Sequence, residues 1–185
     1  MTAVIIIAIV LLIAIVFVVM YNGLVRLRNR IDSAWSQIGV QLERRHDLIP
    51  NLIETVKGYA AHERQTLEGV VQARNAAIQA KDAGPEQQAQ AENVLTGALR
   101  QLFAVAESYP DLKAGESFLS LQRALVEVED HVQNARRYYN AVVRDLNTKI
   151  AQFPSNLVAG PMGFQSQEFF GLASEAEGAV PKVEL

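Results

Sequence analysis

The chain has 185 residues, with 17 basic and 20 acidic side chains and a net charge of −3 at pH 7. A slightly acidic balance argues against a broad nucleic-acid-binding surface. The chain contains no cysteine, which excludes disulfides, thiol nucleophiles and cysteine-ligated metals.

The first element is the apolar segment from Ala3 to Met20, which has no charge, glycine or proline. As a helix it would span roughly 27 Å, close to the hydrocarbon thickness of a bilayer. A cleaved signal peptide and a buried core helix are the alternatives. No Ala-x-Ala-like cleavage site follows the segment, and a core helix is rarely apolar on every face. We predict an uncleaved transmembrane anchor over residues 1–21, with residues 3–20 in the lipid bilayer.

The charges beside this segment predict how it is oriented in the cell membrane. No basic side chain precedes it, and five arginines follow it closely. The positive-inside rule places the arginine-rich side in the cytoplasm. We therefore expect a single-pass protein whose C-terminal domain is cytoplasmic. The arginines are Arg26, Arg28, Arg30, Arg44 and Arg45.

About 165 residues follow the anchor, enough for one domain with a core but few for two. We predict a helical bundle domain over residues 22–153 and a mostly irregular tail over residues 154–185. Gly84-Pro85 and Tyr109-Pro110 are turn signals that divide the domain into long helical segments. Those segments are residues 22–82, 86–108 and 116–152.

The fold class is all-α, an N-terminal transmembrane helix followed by an antiparallel bundle of three to four long helices. The number depends on Pro50, which either kinks one long helix or lies in the first turn of a new helix capped by Asp47.

Apolar residues recur at steps of three and four in each segment, a pattern typical of helices in bundles and coiled coils. In the first segment the pattern is interrupted at Val40–Arg45, which we interpret as a stutter. The stripes consist of Leu24, Leu27, Ile31, Ala34, Ile38, Ile49, Leu52, Val56 and Tyr59; of Ala91, Leu95, Ala98, Leu102 and Val105; and of Phe118, Leu121, Leu125, Val128, Val132, Ala135, Tyr139, Val142 and Leu146.

Three stretches are long and composite enough to carry a family resemblance. They run from Tyr21 to Glu63, including RRHDLIPNLIETVKGYA, from Ala91 to Gln122, and from Ala135 to Ala159. Together with the anchor and the closing Pro181 and Val183, they resemble the LemA family. The resemblance implies a bacterial single-pass membrane protein with a soluble helical bundle, with no established biochemical activity and no catalytic residue set.

Two fragments of metal-site motifs occur in the first segment. Glu43 and His46 form a Glu-x-x-His pair, which di-iron bundles use twice together with two further glutamates. His62-Glu63 begins like a zincin motif, but Thr66 stands where the second histidine is needed. We therefore predict no catalytic residue, cofactor or metal site, and expect the two histidines to lie on helix surfaces.

The charged run Arg44, Arg45, His46 and Asp47 is a candidate face for docking a partner, or else a solvated run with local ion pairs. Trp35 lies one position off the apolar stripe, and we expect it to pack at the edge of the bundle.

Our leading functional hypothesis is a non-enzymatic, membrane-anchored helical scaffold or adaptor. Its partner would be an unknown membrane or cytoplasmic protein, and we expect it not to bind nucleic acid. The sequence does not decide whether the protein forms a homo-oligomer. One alternative is a metal-dependent or hydrolytic enzyme that uses Glu43, His46 and His62. The other is a self-assembling module that remodels membranes.

Overall fold

A computed structural model describes residues 1–60 and 62–171 of the chain. Every regular element in this part is helical and none is a strand, so the predicted all-α class with an apolar N-terminal helix is confirmed. Pro181 and Val183, and the predicted tail beyond residue 171, lie outside the described residues. The helices are α1 (Thr2–Lys57), α2 (Arg64–Gln79), α3 (Pro85–Ala106), α4 (Pro110–Ala114), α5 (Glu116–Ala151) and α6 (Asn156–Ala159).

Both predicted turns are present. A 3₁₀ turn over Ala80–Asp82 leads to Gly84, whose φ of 98° suits glycine. Pro85 then opens α3 and Pro110 opens α4, since a proline in the first helical turn costs no hydrogen bond.

The predicted continuous segment over residues 22–82 is wrong in one place, because the chain leaves the helix after Lys57 and resumes it at Arg64. The amide of Tyr59 bonds back only three residues, to the carbonyl of Val56, which tightens the last turn. The heptad spacing therefore does not continue. Tyr59 is 53% exposed, and Ala60 takes the buried position instead.

Pro50 lies inside α1 rather than at the start of a new helix. A proline has no N–H to donate to the carbonyl four residues earlier, which is that of His46. The guanidinium of Arg74, on α2, supplies the missing donor, with Nε 2.7 Å from the His46 carbonyl oxygen. The contact of α2 with α1 thus satisfies the backbone group that the proline leaves unpaired.

The chain divides into two compact units. The first unit comprises residues 1–36 and 137–168. The second comprises residues 37–136 and, of the described residues, 169–171. Helices α1 and α5 each contribute residues to both units.

In the first unit, α1 and α5 run antiparallel. The rings of Trp35 and Tyr139 lie 5.3 Å apart, while Gly23, three turns earlier on α1, lies against the ammonium of Lys149, farther along α5. Trp35 is half-buried, in agreement with its predicted place at the edge of the bundle. The Tyr139 hydroxyl donates to the carbonyl of Glu168 at 3.0 Å, and burial raises the pKa of Tyr139 to about 12.

The apolar segment forms the start of α1, and none of its residues from Ala3 to Met20 is buried against the rest of the described chain. A core helix would be covered by its neighbours. The segment is long and apolar enough to cross a bilayer, and it is consistent with a single-pass membrane anchor.

The second unit has a continuous apolar core. Three positions of the predicted α3 stripe are shifted by one residue, since Glu92, Leu99 and Ala106 are buried while Ala91, Ala98 and Val105 are half-buried. The core contains Ile49, Leu52, Val56, Ala60, Leu67, Val70, Ala73, Ala77, Leu95, Leu99, Leu102, Ala106, Leu112, Phe118 and Leu125.

Candidate functional site

The apparent interruption of the α1 stripe is where the second unit buries its charge. Leu42 and Arg45 are both buried, and with Ile38 and Ile49 they continue the steps of three and four. The stutter predicted over Val40–Arg45 is therefore confirmed, since the stripe has one extra four-residue step there, from Ile38 to Leu42. The stripe is not interrupted, however, and an arginine takes the place of an apolar side chain.

Arg45 and the adjacent His46 converge on one carboxylate, that of Glu92 on α3. Arg45 Nη1 lies 3.1 Å from Glu92 Oε2, and His46 Nε2 lies 2.8 Å from Glu92 Oε1. Glu92 is 0% exposed and His46 is 7% exposed. Each carboxylate oxygen thus has its own nitrogen partner, and the carboxylate is shielded from water.

The second nitrogen of the Arg45 guanidinium extends the cluster to α5. Nη2 donates to Thr96 Oγ1 at 2.8 Å and lies 3.2 Å from Glu129 Oε2. The Thr96 hydroxyl in turn donates to the backbone carbonyl of Glu92 at 3.0 Å. We call Arg45, His46, Glu92, Thr96 and Glu129 the Glu92 cluster, which joins α1, α3 and α5.

The Glu92 cluster is suited to fixing helix register rather than to chemistry on a substrate. Burying a carboxylate is costly unless it is paired and hydrogen-bonded. Here the Arg45 guanidinium and the His46 ring supply those partners at both oxygens. Sliding α1 along α3 would separate Arg45 from Glu92 and leave both charges buried.

The residues of the two metal-motif fragments do not converge. Glu43 is exposed, and its only described ion pair is a 4.0 Å contact with the exposed Lys81. His62 is exposed as well. Within residues 1–60 and 62–171, no group of three histidine, aspartate or glutamate side chains is placed to hold a metal ion.

The expectation that His46 lies on a helix surface is wrong, because its ring is turned inward to Glu92. Glu63, the acid of the zincin-like fragment, accepts a hydrogen bond from the Tyr109 hydroxyl at 3.1 Å. That hydrogen bond raises the pKa of Tyr109. Glu63 therefore links the turn before α2 to the turn before α4.

The charged run proposed for docking does not form one surface. Arg44 and Asp47 are exposed, whereas Arg45 and His46 are buried. On a helix, consecutive positions point about 100° apart, so a run of four covers all sides. Docking through this part of α1 stays a prediction for Arg44 and Asp47 alone.

Sequence reasoning missed Glu92, although a signal was present. Stepping back along α3 from Leu99 and Leu95 by the same heptad spacing reaches Glu92 and then Gln88, and both are buried. The predicted stripe contains Ala91 and Ala98 instead. Choosing the larger Leu99 over Ala98 would have placed a carboxylate on the buried side and called for a cationic partner.

The model of the LemA family matches residues 34–185. The chain belongs to the LemA family. This LemA family chain is 30% identical over 164 residues to Protein LemA of Metamycoplasma hominis, an alignment that covers 88% of the chain and 73% of the relative.

Magnetosome proteins are also similar to this LemA family chain. It is 26% identical over 174 residues to Magnetosome protein MamQ 2 of Paramagnetospirillum magneticum and 24% identical over 174 residues to Magnetosome protein MamQ of Magnetospirillum gryphiswaldense. Each alignment covers 81% of the chain but 64% of the relative, so the chain spans less than two thirds of the length of these proteins. None of these names states an enzymatic activity.

Proposed function

We propose that this chain is a non-enzymatic scaffold or adaptor, anchored in the cell membrane by residues 3–20 and presenting its helical bundle to the cytoplasm. The observation that carries the proposal is the Glu92 cluster. Its buried charged groups are bonded to one another between helices, an arrangement that stabilises a rigid bundle and offers no open position to a substrate. The similarity to proteins named for the magnetosome supports a role at a membrane.

A scaffold acts through its outer surface, so site-specific photo-crosslinking in native membranes tests the proposal. We would place a photoreactive amino acid at Arg44 or Asp47, both exposed, in the full chain. We expect a discrete protein adduct from at least one of these positions. A matched variant with the photoreactive residue at Leu11, inside the apolar segment, should give no adduct with a cytoplasmic protein.

Two results would contradict the scaffold. One is the absence of any protein adduct at both positions and at further exposed positions of the second unit, such as Val94 and Val126. The other is stoichiometric iron, zinc or manganese in the purified full chain that is lost in a His46→Ala, His62→Ala double variant. That second result would support the alternative hypothesis of a metal-dependent enzyme.

The cytoplasmic orientation gives a second prediction, because the chain lacks cysteine and a single introduced thiol reports its own side of the membrane. We expect Ser117→Cys, on the exposed start of α5, to resist a membrane-impermeant maleimide in intact cells or spheroplasts. It should react once the membrane is opened. The physical reason is the excess of arginine after the anchor, of which Arg26, Arg28 and Arg30 are exposed.

Thr2→Cys, at the other end of the apolar segment, serves as the control and should show the opposite behaviour, reacting in intact cells. Labelling of Ser117→Cys before lysis, with protection of Thr2→Cys, would place the bundle outside the cytoplasm.

A further inference from the structure

A cavity lies in the first unit where the apolar segment ends. We propose that it binds the phosphate-bearing headgroup of an anionic phospholipid, a ligand that goes beyond the scaffold role. The cavity has a volume of about 310 Å³ and is bounded by the end of the apolar segment, by α5 and by the turn after α5. Its lining includes Val19, Met20, Arg26, Lys149, Phe153 and Ser155.

Two cationic side chains from different helices meet at this cavity. The ammonium of Lys149 reaches across to α1, where a Cβ added to Gly23 would lie 3.3 Å from Nζ. Arg26 stands one turn farther along α1. Neither Arg26 nor Lys149 forms an ion pair with an acidic side chain among the described residues. The site therefore carries two positive charges that attract the single negative charge of a lipid phosphodiester.

The height of these charges above the apolar segment matches a headgroup. Gly23 and Arg26 lie three and six residues beyond Met20, about 4.5 and 9 Å along a helix. The headgroup layer of a bilayer begins at the end of the hydrocarbon span. Arg26 and Lys149 are thus held at the level at which lipid phosphates lie, while Val19 and Met20 form an apolar wall for the upper part of an acyl chain.

Apolar side chains at and after the same turn are exposed. Their exposure is unfavourable in water but favourable in contact with a bilayer. Phe153, Leu157 and Met162 are 73%, 64% and 47% exposed, and all three lie within ten residues of one another. Large apolar side chains exposed together favour an interaction site. Beside a transmembrane segment, aromatic and aliphatic side chains of this kind insert at the membrane interface.

The chain that follows α6 is fixed in place by contacts within the first unit. The Phe164 ring packs edge-on against Tyr21, with centroids 5.9 Å apart. The Asn147 side chain exchanges two hydrogen bonds with the backbone of Gln167, each 2.9 Å long. These contacts hold the segment that follows the exposed Met162 against α1 and α5.

The apolar wall selects a lipid over a soluble phosphate compound. A phosphate in solution would meet only the two cations, whereas a lipid also places its glycerol and upper acyl chain against Val19 and Met20 and is already concentrated at this height by the bilayer. We therefore commit to a bilayer lipid as the occupant.

The test uses the full chain in bilayers with a tryptophan introduced by Phe153→Trp. Brominated phospholipids quench a nearby tryptophan. Trp35, about 22 Å along α1 from Met20, serves as the unquenched background. We would titrate brominated phosphatidylglycerol into phosphatidylcholine, with brominated phosphatidylcholine as the reference. We expect the relative association constant of the anionic lipid to exceed that of the neutral lipid about 25-fold, which corresponds to about fivefold for each of the two cations.

Charge-removing variants distinguish a site from general attraction. Arg26→Gln and Lys149→Gln should each lower the preference about fivefold, and the double variant should bring it close to one. The matched control is Arg30→Gln, which removes the same charge from an exposed position of α1 that does not line the cavity. It should leave the preference within about twofold of the parent.

Equal quenching by both lipids in the parent would overturn the proposal. So would an equal loss in Arg30→Gln and Arg26→Gln, because it would show that the surface attracts anionic lipid without a defined site. A third arm adds glycerol phosphate to the buffer and should leave quenching unchanged. Reversal of the preference by the soluble compound would overturn the assignment to a bilayer lipid. None of these outcomes depends on the scaffold role.

Discussion

Replacing Glu92 by alanine is expected to lower the free energy of unfolding by about 3–5 kcal/mol. The substitution leaves the guanidinium of Arg45, itself 4% exposed, buried without the carboxylate that holds it at 3.1 Å. It also removes the partner of His46 Nε2. Chemical denaturation of the full chain in detergent micelles, followed by far-UV circular dichroism, measures the loss.

Two controls separate the buried pair from charge in general. Glu86→Ala changes an exposed glutamate of the same helix and should cost less than about 0.5 kcal/mol. Glu129→Gln alters the half-exposed second partner of Arg45, and because solvent screens that contact it should cost less than about 1 kcal/mol.

The combination of Arg45→Met and Glu92→Met removes both charges and should recover most of the loss seen in Glu92→Ala, since apolar side chains of similar size can replace a buried ion pair. A Glu92→Ala variant as stable as Glu86→Ala would show that the Glu92 cluster does not hold the helices together.

The second large effect is expected at Leu125, which is buried in the core of the second unit. Leu125→Ala should destabilise the protein by about 2–5 kcal/mol, through the lost burial of the side chain and the cavity that remains. Leu125→Asp should be worse, because it places an unpaired carboxylate in the core. The same denaturation curves report both changes.

The neighbouring Val126 provides the matched control. It is 58% exposed on the same helix, so Val126→Ala should shift the unfolding free energy by less than about 0.5 kcal/mol. Similar losses of unfolding free energy for Leu125→Ala and Val126→Ala would contradict the burial of Leu125 in the core.

Several features of the fold follow from local sequence. The apolar N-terminal helix is evident from Ala3 to Met20, because no side chain there favours water. The turns at Gly84 and Pro110 follow from backbone chemistry that acts within a few residues. The position of Leu125 in the core follows from an unbroken repeat of apolar residues at steps of three and four along α5, which places them all on one face of the helix.

The site was predictable only in part. A charged side chain within an apolar stripe indicates an interruption of the buried face unless its partner is known. The partner of Arg45 cannot be identified from local sequence, because it lies 47 residues away on α3. The sequence places His46 on a helix surface for the same reason. Its ring is buried only because Glu92 meets it there.

The all-α class, the apolar N-terminal helix and most of the buried helix faces follow from the sequence alone, because each depends on periodicity and on the local properties of the chain. The packing of the helices decided that Pro50 lies within a continuous helix, since its missing hydrogen bond is replaced by Arg74 from another helix. It also decided that Arg45 and His46 turn inward, since burying a charge is favourable only where a distant residue pairs with it.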